Sequence, residues 1–435
     1  MSGGLTIYLE SFGCQMNAFD TEVIETMLAG EGFVTVPKPD GADVILVNTC
    51  SVREHAERRA IGRLHDLSRH RDAVLVVCGC MAQRLGAALF DLVPGLDIVA
   101  GPDTYRDLAS TIASRSEGAE KTALLSRDDD VTYGLSAPGA GSVSRFLSIT
   151  RGCLNFCTYC IVPYVRGPLR SKPSTEILRE LRLLEEAGVR EVTLLGQNVM
   201  AYRDNGTGFV DLLRRILDDT VLPRIRFLTT HPRDIDPALF DLMRVERRIC
   251  PHIHLPLQSG DDRVLERMNR GYTAAQFRAI VDLARKTIPD IAFSTDIIVG
   301  FPGESEVDFG RTLEVVECVR FDSAFTFKYS PREGTEAAQM TDDVPDEVKR
   351  ERLERLNDTL RGIREEILGG LVGSRAEILL DGAVQKGEYR FLKGRTPHFR
   401  NVLVEPDGLQ NGQIVTVLLR ELRNCTFIGE TAARR

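Results

Sequence analysis

Two hydrophobic periods alternate along the chain. Short apolar runs, "LTIYLE", "DVILVN" and "AVLVVC" (5–10, 43–48 and 73–78), are separated by stretches with helical spacing such as "TEVIETMLAG" and "REHAERRAIGRLHDL". Buried strands alternating with amphipathic helices predict a parallel sheet with crossover helices. From residue 146 the alternation becomes more regular. "FLSIT", "EVTLLG", "IRFLTT", "HIHLPL", "FSTDIIVG" and "AFTFKYS" are six strand candidates, with helical stretches such as "STEILRELRLLEEAG" and "YTAAQFRAIVDLARKT" between them. Six such units predict most of an eight-fold barrel, whose active site belongs at the carboxyl ends of its strands. After the charged helical stretch ending at Gly369 and Gly370 the helical period stops. "SRAEILLDG", "RFLKGRT", "RNVLVE" and "GQIVTVLLREL" read as strands of a small OB-like barrel. The expected fold is therefore α/β: an open parallel-sheet domain over 4–120, a partial (β/α)6 barrel over 139–368 and a small β-barrel over 369–434. The Gly-, Ser- and acid-rich stretch from Ser114 to Ser142 places a linker at 121–138.

Composition adds little except at cysteine. The 435 residues carry a net charge of −8, which excludes a protein that coats nucleic acid everywhere but leaves room for a local basic face. Residues 369–435 hold ten Lys/Arg against seven Asp/Glu. The longest apolar run, Ala73 to Ala82, is half the length of a membrane span, and "MSGGLTIYLESFGC" shows no signal peptide. A cytoplasmic address is expected, with no membrane partner. In that reducing setting clustered cysteines are metal ligands or redox groups more often than disulfides. Of the ten cysteines, Cys250, Cys318 and Cys425 stand alone and read as packing residues.

The remaining cysteines fall at strand ends. Cys14, Cys50 and Cys80 each follow a strand of the first domain, on the edge where open parallel sheets bind ligands. They meet there, or they are three small residues at tight turns. Cys78, two positions before Cys80, would share its side of an extended strand. Cys153, Cys157 and Cys160 form "CLNFCTYC" directly after the first barrel strand. Three thiolates leave a zinc site incomplete but can hold three irons of a cubane cluster, with the fourth iron open for chemistry.

That loop resembles the radical S-adenosylmethionine enzymes, in which the open iron takes the amine and carboxylate of the cofactor's methionine moiety. The resemblance puts Tyr159 near the adenine and Gly196 and Gln197 ("LGQ") at the methionine amine, where the family's usual Glu is absent. It also puts Gly300, in "DIIVGFPGES", against the cofactor, although a tight turn accounts for that glycine equally well. "SFGCQMNAFDTE", "VNTCSVREHA", "CGCMAQR", "GQNVMAY" and "HLPLQSGDDRVLERMNRGYT" resemble methylthiotransferases over nearly the whole chain, and the Gln-Met-Asn form resembles the MiaB-type branch. The resemblance implies two 4Fe–4S clusters, held by Cys153, Cys157 and Cys160 and by Cys14, Cys50 and Cys80. Cys78 is left as a core residue or a substitute ligand. It implies that one S-adenosylmethionine methylates a cluster-bound sulfur while a second makes the radical that opens carbon-2 of isopentenyl-adenosine in a tRNA anticodon stem-loop. An electron donor and a sulfur source are implied as further partners. Other branches act on threonylcarbamoyl-adenosine or a ribosomal-protein aspartate, and a cluster-carrying RNA-binding protein without catalysis is the reading from another class. The last domain resembles a TRAM module, and Arg395 and Arg400 become expected RNA contacts, with Phe391 and Phe399 as stacking or core residues. His231 and His254 are expected as hydrogen-bonded structural histidines at strand ends.

Overall fold

The computed structural model describes residues 4–51, 54–127, 142–387 and 389–431. The first sheet has six parallel strands, β1 (Thr6–Ser11), β2 (Val34–Thr35), β3 (Val44–Thr49), β4 (Val74–Gly79), β5 (Ile98–Ala100) and β6 (Thr122–Leu124), in the order β2-β1-β3-β4-β5-β6. All six residues of β3 are buried because both faces of the sheet are covered. Ile45, Val47, Leu75 and Val77 point into one apolar layer, and Val44, Leu46, Val76 and Cys78 into the other. Strand β6 lies within the segment expected as a linker from residue 121. From residue 128 the expected span falls outside the described residues.

The middle of the chain forms β7 (Ser144–Ser148), β8 (Glu191–Leu195), β9 (Arg224–Phe227), β10 (His252–His254), β11 (Ala292–Val299) and β12 (Ser323–Lys328). Two three-stranded parallel sheets, β9-β8-β7 and β10-β11-β12, are joined by a parallel bridge from Ile225 to Ile249. The result is an open crescent of six strands whose carboxyl ends share one rim. Its outer helices start where their caps dictate. Thr273 with Gln276, and Ser305 with Asp308, form reciprocal capping boxes ahead of helices Ala274–Thr287 and Glu306–Val319. Among the described residues no helix is long and apolar enough to cross a membrane.

The C-terminal strands β13 (Arg375–Lys386), β14 (Tyr389–Arg395), β15 (Asn401–Val404), β16 (Ile414–Arg423) and β17 (Thr426–Thr431) close into a barrel around Ile378, Leu392, Val402, Val417 and Phe427. This barrel docks on the amino ends of the crescent strands, the end opposite the cysteine loop. Arg224 opens β9 and donates to the Arg395 carbonyl at 2.5 Å. Arg226 donates to the carbonyls of Thr396 and Pro397 at 2.8 and 2.7 Å, and to Glu191 at 2.8 Å.

Arg395 and Arg400, expected as RNA contacts, belong to this seam. The Arg395 guanidinium lies 4.4 Å from the Phe399 ring centroid, and Phe399 stacks on His252 at 5.1 Å. Arg400 is held by Asp322 at 2.6 Å. Arg226 and Glu191 are almost fully buried, so removing one partner is costly. Arg226→Ala should lower stability by about 3 kcal/mol, the low end for a broken buried pair because Arg224 remains 4.0 Å from Glu191. Thermal denaturation followed by circular dichroism checks this, and an unchanged midpoint contradicts it.

Candidate active site at the junction of two cysteine trios

The loop after β7 is pinned before its cysteines are placed. Gln197 accepts from the Gly152 amide at 2.5 Å, so its side chain anchors the loop entrance. Gly196 is glycine because a β-carbon there would come within 1.9 Å of the Thr150 hydroxyl. Thr158 donates through its amide to the Met268 carbonyl at 3.1 Å, and Asn269 donates to the Phe156 carbonyl at 2.9 Å. Arg270 then places one guanidinium nitrogen 3.3 Å from Cys157 Sγ, while Pro256 and Tyr272 hold its other arms at 3.1 and 3.2 Å. Burial raises the Cys153 thiol, and burial with the neighbouring Cys157 pushes Cys160 up to about 12. Without a metal these thiols stay protonated in their low-dielectric pocket. A cation is what such a donor set lacks.

Around this loop the rim presents polar atoms that no protein group satisfies. Asn198 Oδ1, His231 Nε2 and Gln258 Oε1 are buried without a hydrogen-bond partner among the described residues. They lie just past the carboxyl ends of β8, β9 and β10. Native proteins leave few such atoms, so three on one rim fit a bound polar molecule. His231 accepts from the Arg233 amide at Nδ1 and is driven down to about 2, first by burial and then by Arg270 and Arg233. It is a neutral imidazole whose Nε2 is buried without a partner among the described residues. His254 is fully engaged by Ser294 and Asp296 at 3.0 and 3.2 Å, the structural role expected of it. Tyr159 packs against Val264, Met268, Phe301 and Tyr329, giving the loop an apolar side. At Gly300 the structure builds a turn. Its φ is +69°, its amide goes to Glu304 at 2.5 Å, and a β-carbon would meet Lys349 at 2.3 Å.

The second trio assembles at the edge of the first sheet. Cys14 precedes helix α1 (Gln15–Gly30), Cys50 follows β3, and Cys80 is the first residue of helix α2 (Cys80–Leu85). Gly13 runs so close to Cys50 that a β-carbon would sit 2.4 Å from Cys50 Cβ. A hydrogen bond from Cys50, assisted by the Arg166 charge, brings Cys14 down to about 6, while burial raises Cys80. One ready thiolate beside a cation is a start for a metal site. The chain turns at Gly79 (φ +94°), so Cys80 leaves the strand and does not share the side of Cys78. Cys78 is fully buried among Ile7, Val44, Leu46 and Val76, where burial raises its thiol.

A five-residue helix, α3 (Val162–Arg166), joins the two trios. Ile161 and Val165 pack directly on Cys80, and the Arg166 Nε donates to Cys80 Sγ at 3.0 Å. Nη1 of Arg166 reaches Asp20 of α1 at 2.6 Å, and the other Asp20 oxygen takes Arg151 at 2.7 Å. Asp20, Arg151, Arg166 and Arg270 had no signal in single-sequence spacing, because the contacts that join them to each other and to the cysteines span 86 to 146 residues. Among the described residues no three His, Cys, Asp or Glu converge as ligands of a single ion. A cluster distributes three thiolates over three irons, so ligand spacing for one ion is not what it requires.

Two family models match the chain, the radical SAM superfamily over residues 147–316 and the uncharacterized protein family UPF0004 over residues 6–101. A tRNA-2-methylthio-N(6)-dimethylallyladenosine synthase of Geobacter metallireducens is 41% identical over 442 residues, covering 99% of each chain. The synthase of the same name from Porphyromonas gingivalis is 42% identical, covering 98% of this chain and 94% of its own. Among solved structures, a radical S-adenosylmethionine methyltransferase of Kitasatospora setae, with cobalamin and a [4Fe-4S] cluster bound, superposes with a TM-score of 0.58. It is 13% identical and covers 77% of each chain, a likeness of fold.

Proposed function

The chain belongs to the tRNA-2-methylthio-N(6)-dimethylallyladenosine synthases, radical S-adenosylmethionine enzymes, and from that premise we propose how its two cysteine trios divide the work of adding a methylthio group to carbon-2 of isopentenyl-adenosine. The Cys153, Cys157 and Cys160 loop holds the 4Fe–4S cluster of the radical half. Cys14, Cys50 and Cys80 hold a second 4Fe–4S cluster that carries the sulfur. When bound, these groups and S-adenosylmethionine supply one-electron cleavage of a sulfonium and a sulfur atom for transfer.

The side chains do the positioning. Arg270 keeps a positive charge on Cys157, opposing the burial that otherwise keeps the neighbouring thiols protonated. Asn198, His231 and Gln258 offer two carbonyl oxygens and one imidazole nitrogen to the polar parts of S-adenosylmethionine, with Tyr159 on the apolar side. Gln197 acts through the loop, by its bond to Gly152. Phe156 and Tyr164 pair edge-to-face at 6.1 Å, and both are exposed beside the cysteine loop. Exposed aromatic rings next to a site suit a splayed-out loop base, which stacking can hold without duplex unwinding. With Arg395 and Arg400 spent on the domain seam, RNA contact on the last barrel falls to Tyr389, Phe391 and Lys393, which alternate with the core residue Leu392 on β14. An external one-electron donor and a sulfur source complete the balance, since the protein's own groups cannot provide either repeatedly.

The observation supporting this most is the α3 helix that bridges the trios, because sulfur transfer to a substrate radical needs both centres on one cavity. The test is nucleoside mass spectrometry on tRNA that carries the isopentenyl group and lacks the methylthio group. The anaerobically reconstituted protein, with reductant, sulfide and S-adenosylmethionine, should add one methylthio group to that adenosine. Formation of 5′-deoxyadenosine with no such gain would move the substrate to threonylcarbamoyl-adenosine or a protein aspartate.

A further inference from the structure

Arg166 makes two contacts that a simple interdomain ion pair does not need together. Its Nη1 satisfies Asp20 at 2.6 Å, while its Nε is turned away from that carboxylate to Cys80 Sγ at 3.0 Å. Every participant is buried, with Asp20 at 0% exposure, Arg151 at 1% and Arg166 at 3%. Asp20 takes one arm from each of two guanidinium groups, so its single charge offsets only part of theirs. Tyr105 adds only a neutral hydroxyl, 3.5 Å from Asp20. The remaining positive charge faces Cys80 through the direct 3.0 Å contact of Arg166 Nε, in a buried setting where salt screens little.

Resting on the reading that Cys14, Cys50 and Cys80 hold the second cluster, we propose that Arg166 is a positioning residue that sets that cluster's reduction potential from the other domain, with Asp20 metering its charge. A hydrogen bond and a cation at a cluster thiolate favour the reduced, more negative state, and such contacts are among the levers that fix cluster potentials. Arg166 follows Cys160 by six residues through a helical turn, so it travels with the radical-side loop. The potential of the sulfur-carrying centre is thereby tied to correct docking of the two domains. An undocked first domain loses the cation and has a cluster that is harder to reduce.

The test is a potentiometric titration followed by electron paramagnetic resonance, on the full-length chain reconstituted with iron and sulfide in a Cys157→Ala background that leaves only the second cluster. Arg166→Gln should shift the midpoint to more negative potential, and Arg166→Lys should recover most of the shift. Asp20→Asn should shift it to more positive potential, because it removes the charge that offsets the arginines. Loosened packing would move Arg166→Gln and Asp20→Asn in the same direction, and that result overturns the proposal. So does an unmoved midpoint in Arg166→Gln. If Arg166→Gln takes up no iron, Asp20→Asn decides alone, and an unmoved or more negative midpoint there overturns it. Failure of the Cys157→Ala parent to take up any cluster overturns the two-cluster reading and this proposal with it, an outcome seen before any Arg166 variant is made.

Discussion

Cys157→Ala is expected to reduce 5′-deoxyadenosine formation from S-adenosylmethionine to the level of a protein-free control and to cost about four irons per chain. The reason is geometric. Cys157 is the central and most buried thiol of its loop, its carbonyl accepts the Cys160 amide at 2.9 Å, and its sulfur is the one Arg270 addresses. Two remaining thiols cannot hold three irons, and their high pKa values make them poor ligands without the third. The fold should survive, because the loop is anchored through the backbone of Met268 and Phe156 and not through the sulfur. Liquid chromatography of the quenched reaction, with iron analysis and circular dichroism of the same sample, separates these effects. Persistent cleavage would remove the ligand assignment. Loss of cleavage with loss of secondary structure would make Cys157 a folding residue.

What the sequence disclosed, and what it hid, follows from how far each interaction reaches along the chain. Strands β1, β3 and β4 and all six crescent strands are apolar runs that announce themselves locally. Strands β2, β5 and β6 are two or three residues long and exist only because a neighbour offers a free edge. The positions of the cysteines at strand ends were legible, but the divergence of Cys78 from Cys80 was not. It comes from a single backbone turn at Gly79 that ends the strand one residue before Cys80. Arg395 and Arg400 looked like RNA contacts because an arginine beside an aromatic ring has the same composition in a nucleic-acid surface and in a domain seam. The packing of Phe399 on His252 and of Arg400 on Asp322 has no local signal in the sequence. Asp20 and Arg166 are 146 residues apart, and nothing at either position predicts the other. At Gly300 the tight turn that the sequence also allowed is present, closed by Glu304 and crowded by Lys349.

Cys80→Ala should separate the two halves of the reaction. Cleavage of S-adenosylmethionine to 5′-deoxyadenosine continues, because Cys153, Cys157, Cys160 and Arg270 are untouched, while methylthio transfer to the tRNA falls to background. Cys80 is the choice among the three because its sulfur is the one that Arg166 of the radical-side helix addresses. Ile161 and Val165 still cover the site, and Arg166 keeps Asp20 through Nη1. The matched control is Cys78→Ala, two residues away and fully buried in the apolar layer between β4 and its covering helices. That substitution costs packing, about 1 kcal/mol for a group of this size, and should leave both products in their parent ratio. Measuring 5′-deoxyadenosine and the methylthiolated nucleoside in one reaction makes the comparison internal. Equal methylthio transfer by Cys80→Ala and the parent would remove Cys80 from the second trio. Loss of transfer in Cys78→Ala with retention in Cys80→Ala would reverse the assignment the Gly79 turn makes. Uncoupling in Cys80→Ala alone ties the sulfur step to the first domain and the radical step to the crescent, with α3 as the segment through which the two must meet.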